Sequence, residues 1–193
     1  MSRIEVRPAT ADRFDDVAAL LAPRRADAPA CWCLTYRVTN AENSVLRGQD
    51  RPKRLQEFCS REPPPGVVAY VDGEPAGWCS FGPRSELPRL ARSRTIPRLD
   101  DVPVWSVFCL VVRAGYRGKG LASQLVDAVV ALAASRGVPA LEAYPVDPQG
   151  QRISASQAFV GTTSLFERAG FTRVAPTTST SAGLTRWVMR RHL

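Results

Sequence analysis

The segment Arg113-Ala114-Gly115-Tyr116-Arg117-Gly118-Lys119-Gly120-Leu121-Ala122 carries the clearest chemical signal in this chain. It follows a nearly unbroken apolar run, Val104 to Val112, and it precedes Leu121, Leu125, Val129 and Leu132, which recur at helical spacing. A strand therefore passes into an amphipathic helix through a short loop with glycine at 115, 118 and 120. The first turn of a helix has backbone N–H groups without intrahelical partners and carries the positive end of the helix dipole, while glycine lets an anion approach the main chain. Arg117 and Lys119 add mobile positive charge. Such a loop suits a phosphate group, although a plain strand-to-helix turn with solvated basic side chains uses the same residues. It contains no G-x-x-x-x-G-K-[ST], and its G-x-x-G-x-G differs from the dinucleotide G-x-G-x-x-G.

A second candidate is Glu142, a carboxylate inside the apolar strand Leu141 to Tyr144, with Tyr144 on the same face by period-2 alternation. Partial desolvation would raise the Glu142 pKa and make it a general base; the alternatives are pairing with a buried arginine or a place on the solvated face of a short edge. Asp147, just past the strand, is a weaker candidate. The run Cys31-Trp32-Cys33-Leu34-Thr35-Tyr36-Arg37 either walls a ligand site or plugs the sheet with residues that commonly bury. Cys79 and Cys109 fall in expected strands and read as core thiols, as Trp78, Trp105 and Trp187 read as core rings.

Composition narrows the function classes. The five cysteines form no C-x-x-C pair and the single histidine is His192, so zinc sites and Ser-His or Cys-His nucleophiles lack members, and no metal is expected. A net charge of +8 favours anionic partners. The arginines are nevertheless dispersed, with a modest cluster at Arg84, Arg89, Arg92, Arg94 and Arg98 and no run interleaved with aromatics, so nucleic acid is not the expected partner. No apolar run approaches the roughly 20 residues of a membrane span, and no signal-peptide pattern opens the chain, so the expected location is cytoplasmic.

These residues need elements to position them. With 193 residues and no internal repeat, a single domain over 1–193 is expected. Ile4 and Val6 suggest a first strand; Thr10 is placed to cap a helix bearing Phe14, Val17, Leu20 and Leu21; a more polar helix spans about Asn43 to Cys59. Val67 to Val71 and Trp78 to Phe81 flank Asp72-Gly73 as a hairpin. The Gly120 helix stops at Gly137, a short helix covers Ser164 to Ala169, and Leu184 to Met189 is a last strand. The pattern is α/β, a mixed sheet with helices on its faces.

The R-x-x-G-x-A at Arg117, Gly120 and Ala122, together with Leu165-Phe166-Glu167-Arg168-Ala169-Gly170-Phe171, resembles the GNAT superfamily of acyl-CoA-dependent N-acetyltransferases. The resemblance covers Val104 to Phe171 well and the first hundred residues in outline. It implies a mostly antiparallel central sheet with helices on both faces and splayed central strands. It further implies acetyl-CoA as cosubstrate, its pyrophosphate on Arg117, Gly118, Lys119, Gly120, Leu121 and Ala122 and its pantetheine arm along the main chain of Leu110, Val111 and Val112. A strand N–H would stabilise the oxyanion as a primary amine of a small molecule or peptide attacks directly in a ternary complex. Catalytic candidates are Glu142 and Tyr144. Family members commonly carry tyrosine where this chain has Phe166, which leaves Tyr144, Tyr116, Ser164 or water as the acid and motivates an alternative, a non-catalytic acyl-CoA-binding regulatory module. A homodimer is compatible with this reading; nucleic acid and membrane are not among its partners.

Overall fold

The apolar run at 104–112 forms the middle of the sheet. In a computed structural model describing all residues except 1, 26, 27, 155, 156 and 182, it is β4, Trp105–Val112. Before it come β1 (Ile4–Pro8), β2 (Gly66–Val71) and β3 (Glu74–Pro83); after it come β5 (Ala140–Ala143), β6 (Thr172–Ser181) and β7 (Leu184–His192). The spatial order is β1-β2-β3-β4-β5-β7-β6, with every named pair antiparallel except β4 and β5. The hairpin expected at Asp72-Gly73 joins β2 to β3, and both turn residues adopt the positive φ that a two-residue hairpin demands.

Helices cover both faces. On one, α5 (Leu121–Ser135) and α6 (Thr163–Arg168) pack Leu125, Val129 and Phe166 over Cys79, Phe81, Val107 and Leu141. On the other, α1 (Phe14–Leu21) and α3 (Asp50–Cys59) pack Val17, Leu20 and Leu55 with Trp32, Leu34, Val68 and Trp78. Trp32, Cys33 and Leu34 of the Cys31–Arg37 run are thus buried over the sheet, while Cys31 is exposed. A third apolar cluster, Leu87, Leu90, Ile96, Phe108, Tyr144 and Val188, extends that second face beneath the Arg-rich connection, which contains the short helix α4 (Pro88–Ala91).

Three expectations are corrected. The helix expected over 43–59 is two helices, α2 (Asn40–Val45) and α3, because Leu46 is extended and Gly48 has φ +42. Thr10 does not cap with its hydroxyl; a 3₁₀ turn at 11–13 intervenes and the hydroxyl instead accepts from Arg13. Strand β6 lies in a stretch to which the sequence pattern assigns no element; it is an edge strand, where Pro176 and exposed threonines are tolerated.

Two local features set the site. The β3–β4 register shifts between Ser80 and Phe81, so Ser80 faces Cys109 while Phe81 faces Val107 and Phe108 bulges. Strands β4 and β5 pair only from Trp105↔Leu141 to Val107↔Ala143 and then part. Beyond Tyr144, Pro145 has no N–H to extend the ladder, and Val146 bridges to Thr162 and Arg186 instead. The wedge between the strands opens toward the N-terminus of α5. That helix is held close by Gly77 of β3: a Cβ there would lie 3.0 Å from Leu125 Cδ1 and 3.2 Å from Leu121 Cδ2. Gly77→Leu is therefore expected to lift α5 off the sheet and lower stability by roughly 1–3 kcal/mol. Thermal unfolding checks this; an unchanged midpoint would show that α5 does not depend on that close approach.

Candidate cofactor site and acceptor face

The wedge contains a cavity of about 560 Å³ lined by Leu110, Val111, Val112, Arg117, Ala122, Ala158, Phe159, Gly161, Thr162, Leu165 and Arg168. Five residues singled out from sequence, Leu110, Val111, Val112, Arg117 and Ala122, share this lining. Gly118, Lys119, Gly120 and Leu121 complete the loop beside it. Gly118 and Gly120 have φ +75 and +77, a conformation in which a side chain is strained, and Gly120 is the N-cap of α5. Among the described residues, the amides of Gly118, Lys119 and Gly120 have no protein acceptor. Those of Leu121 and Ala122 open a helix and so have no intrahelical one.

The side chains add charge. The Arg117 Nε–H donates to the Val112 carbonyl at 2.9 Å, which ties the guanidinium to the strand end, and Lys119 lies over the Tyr116 ring. None of Arg117, Lys119 and Arg168 has an ion-pair partner among the described residues, so this end of the cavity is electropositive. Arg168 was not expected here, because nothing in the sequence shows which face of α6 turns toward the wedge.

Backbone direction in β4 matters as much. The Arg113 N–H donates to the Ala76 carbonyl in β3, so alternation turns the N–H groups of Val112 and Leu110 away from β3 and into the wedge. The Leu110 N–H is already engaged there, donating to the Phe159 carbonyl at 2.7 Å. Phe166 does not line the cavity. Its ring is buried against Phe171 at 5.2 Å and lies beneath Gly161, where a Cβ would come within 2.6 Å of it.

Glu142 and Tyr144 occupy a different place. As alternation requires, they share a face, and Tyr144 Oη donates to Glu142 Oε2 at 2.9 Å, but neither lines the wedge cavity. Glu142, only 1% exposed, also accepts from Arg190 Nη2 at 2.6 Å, and Arg84 Nη1 lies 3.8 Å away. Arg190 in turn donates to both oxygens of Asp100, and Arg84 to Tyr144 Oη and the carbonyls of Leu90 and Ile96. Ser106 Oγ completes the ring at 2.8 Å from Tyr144 Oη. Of the two readings of Glu142, as base or as ion-pair partner, the surroundings match the arginine-paired carboxylate, and the residue lies away from the wedge cavity. Burial, then the charge of Glu142, pushes the Tyr144 phenol well above its ordinary value, so it holds its proton tightly. This cluster borders a separate cavity of about 430 Å³ at the other end of β4, with Trp105, Arg98 and Asp101. Asp147, the weaker candidate, pairs with Arg173 at 2.6 Å.

Near the bulge, Arg37 anchors the plug. It donates to the carbonyls of Pro65 and Phe81 and lies over the Phe58 and Phe108 rings. Burial brings its pKa down to about 10, which still leaves it cationic at neutral pH.

A model of the Acetyltransferase (GNAT) family matches residues 32–171. The chain belongs to the GNAT acetyltransferase family. The match includes β4, the glycine loop, α5 and α6, so the wedge cavity of this GNAT protein lies inside the family region. No curated protein matches its sequence. Its fold is similar to a polyamine N-acetyltransferase from Drosophila melanogaster that forms N-acetylagmatine (TM-score 0.60, 16% identity, 99% of this chain and 100% of that one). It is also similar to aminoglycoside acetyltransferase AAC(6')-Ib in complex with coenzyme A (0.59, 18%, 98% and 95%) and to an N-acetyltransferase from Staphylococcus aureus Mu50 (0.58, 18%, 99% and 99%).

The paired setting of Glu142 leads to a specific expectation. Glu142→Gln removes the charge opposite two buried guanidinium groups and should lower unfolding free energy by about 3 kcal/mol, as breaking a buried pair does. Affinity for CoA should stay unchanged. Denaturant unfolding with calorimetry checks both; a fully stable variant would show that Arg84 and Arg190 are satisfied without the carboxylate.

Proposed function

We propose that this GNAT protein transfers an acetyl group from acetyl-CoA to a primary amine of a small molecule or peptide, by direct attack in a ternary complex. The observation that carries this reading is the convergence on one electropositive cavity of the unpartnered amides at 118–120, the first helical amides of α5 and the wedge-facing amides of β4. The residues fit the cosubstrate. The 118–122 amides with Arg117 and Lys119 would hold the pyrophosphate, and Arg168 would add charge from the opposite wall. Main-chain groups of Leu110, Val111 and Val112 would hold the pantetheine arm.

In this reading the Val112 and Leu110 N–H groups are the donors available to the arm and to negative charge developing on the thioester oxygen. The Phe159 carbonyl must release the Leu110 N–H before that donor can act. A thiol pKa near 8.5 makes the departing thiolate a fair leaving group at neutral pH, so the missing hydroxyl at Phe166 does not prevent reaction. Water is the simplest acceptor of the amine's proton, since Glu142 is engaged by arginine and Tyr144 keeps its own proton and so is no base. Amine acceptors are named for two of the fold neighbours, a polyamine enzyme and an aminoglycoside enzyme, which supports an amine here.

A second reading, a regulatory module that binds acyl-CoA without turnover, is favoured by the occupied Leu110 amide and by Phe166. Incubation with acetyl-CoA and a panel of polyamines, aminoglycosides and peptide amines, with detection of free thiol, separates the two. Turnover with any acceptor supports transfer; binding without turnover supports the regulatory module. For the cofactor end, Gly120→Val should weaken acetyl-CoA binding at least tenfold, equivalent to about 1.4 kcal/mol, while unfolding stays cooperative. Arg117→Ala should cost less, because backbone donors carry much of the phosphate recognition. Calorimetric titration reads both, and a larger loss at Arg117 would contradict the ordering.

A further inference from the structure

Outside the wedge, the cysteines form a second arrangement that acetyl transfer does not use. Cys33 Sγ and Cys109 Sγ lie 3.1 Å apart although 76 residues separate them in sequence. Cys109 sits in β4 between the bulged Phe108 and Leu110, and Cys33 comes from the plug segment. The backbone is bent to bring them together: Trp32 and Cys33 both have φ +51, a conformation that non-glycine residues adopt at a cost. Trp78 Nε1–H donates to Cys33 Sγ at 3.2 Å, fixing that sulfur against the sheet. A disulfide has an S–S distance of about 2.05 Å, so closure needs about 1 Å of movement, within reach of side-chain rotation.

We propose that Cys33 and Cys109 are a dithiol pair that a hydroperoxide converts to a reversible disulfide, clamping the Cys31–Arg37 segment onto β4. The chemistry balances with hydrogen peroxide as the oxidant. The Cys33 sulfur, as thiolate, attacks one peroxide oxygen, the O–O bond breaks, and the departing hydroxide leaves as water, giving a sulfenic acid. The Cys109 sulfur then attacks Cys33 Sγ, the S–O bond breaks, and the leaving hydroxide takes the Cys109 proton as a second water. Two thiols lose two electrons and two protons, and one peroxide becomes two waters.

The surroundings assign the roles. The hydrogen bond shared with Cys109, the Trp78 N–H donated to Cys33 Sγ and the nearby Arg37 cation outweigh burial and lower the Cys33 pKa; the Trp78 donor makes Cys33 the attacking thiolate and leaves Cys109 as the resolving thiol. The other buried thiols are the reverse case: burial pushes Cys59 up to about 11 and Cys79 higher still, so they stay protonated and inert. Cys31 is exposed, with its sulfur 2.8 Å from Thr35 Oγ1. The clamp would join the plug to the strand whose next residue, Leu110, faces the wedge.

The test is independent of acetyl transfer. The full chain is treated with stoichiometric hydrogen peroxide, unfolded, alkylated with N-ethylmaleimide, and measured by intact mass and peptide mapping. Alkylatable thiols should fall from five to three, the unalkylated mass should drop by about 2 Da, and dithiothreitol should reverse both. The map should show one cross-linked pair containing Cys33 and Cys109. Cys31→Ser should form it unchanged, and Cys109→Ser should not form it; should Cys109→Ser fail to fold, the wild-type map decides. Five thiols still free, a bridge through Cys31, or irreversible oxygen addition at Cys33 would each overturn the proposal.

Discussion

Strands β4 and β5 stay together for three residue pairs and then part, and the site depends on where that parting occurs. Two opposed forces set it. On the paired side, Ser106, Tyr144, Glu142, Arg84 and Arg190 knit β4, β5, β7 and the Arg-rich connection into one buried polar cluster. Buried charges of this kind are costly unless each is answered, so the cluster fixes the strands in register. On the open side, Phe108 bulges and Pro145 removes a donor, so the ladder cannot continue. The wedge is what remains between a clamp and a break.

The open side presents main-chain donors more than side chains. Amides of β4 face into the wedge, and the glycine loop brings another set to its mouth, where the dipole of the 15-residue helix α5 adds to them. Positive φ at Gly118 and Gly120 aims this loop, and the close approach allowed by Gly77 seats the helix behind it. The surplus arginine and lysine charge strengthens the field without supplying its geometry. The Phe159 carbonyl accepts from the Leu110 amide, so one of the wedge-facing donors is satisfied by the chain's own loop.

What was legible in the sequence follows the range of the interactions involved. β4, the loop and α5 could be read because apolar periodicity and glycine placement are local signals, and five of the residues proposed to hold the cosubstrate do line one cavity. The shared face of Glu142 and Tyr144 was legible for the same reason. Their partners were not: Arg190 is 48 residues from Glu142 and Arg84 is 60 from Tyr144, and no local pattern announces such pairs. The Phe159 strap, Arg168 in the wedge and the Cys33–Cys109 contact depend likewise on tertiary approach. β6 escaped notice because its stability comes from pairing with β7, not from its own composition.

The central claim is that backbone amides at the wedge mouth recognise an anionic cosubstrate. Amide ¹H–¹⁵N spectra recorded during titration with CoA test it residue by residue. The account predicts that the largest shifts cluster at Gly118, Lys119, Gly120, Leu121 and Ala122, with Leu110 and Val112 next, while Glu142 and Arg190 stay nearly still. Shifts centred on the Glu142–Arg190 cluster, with the glycine loop unmoved, would contradict it.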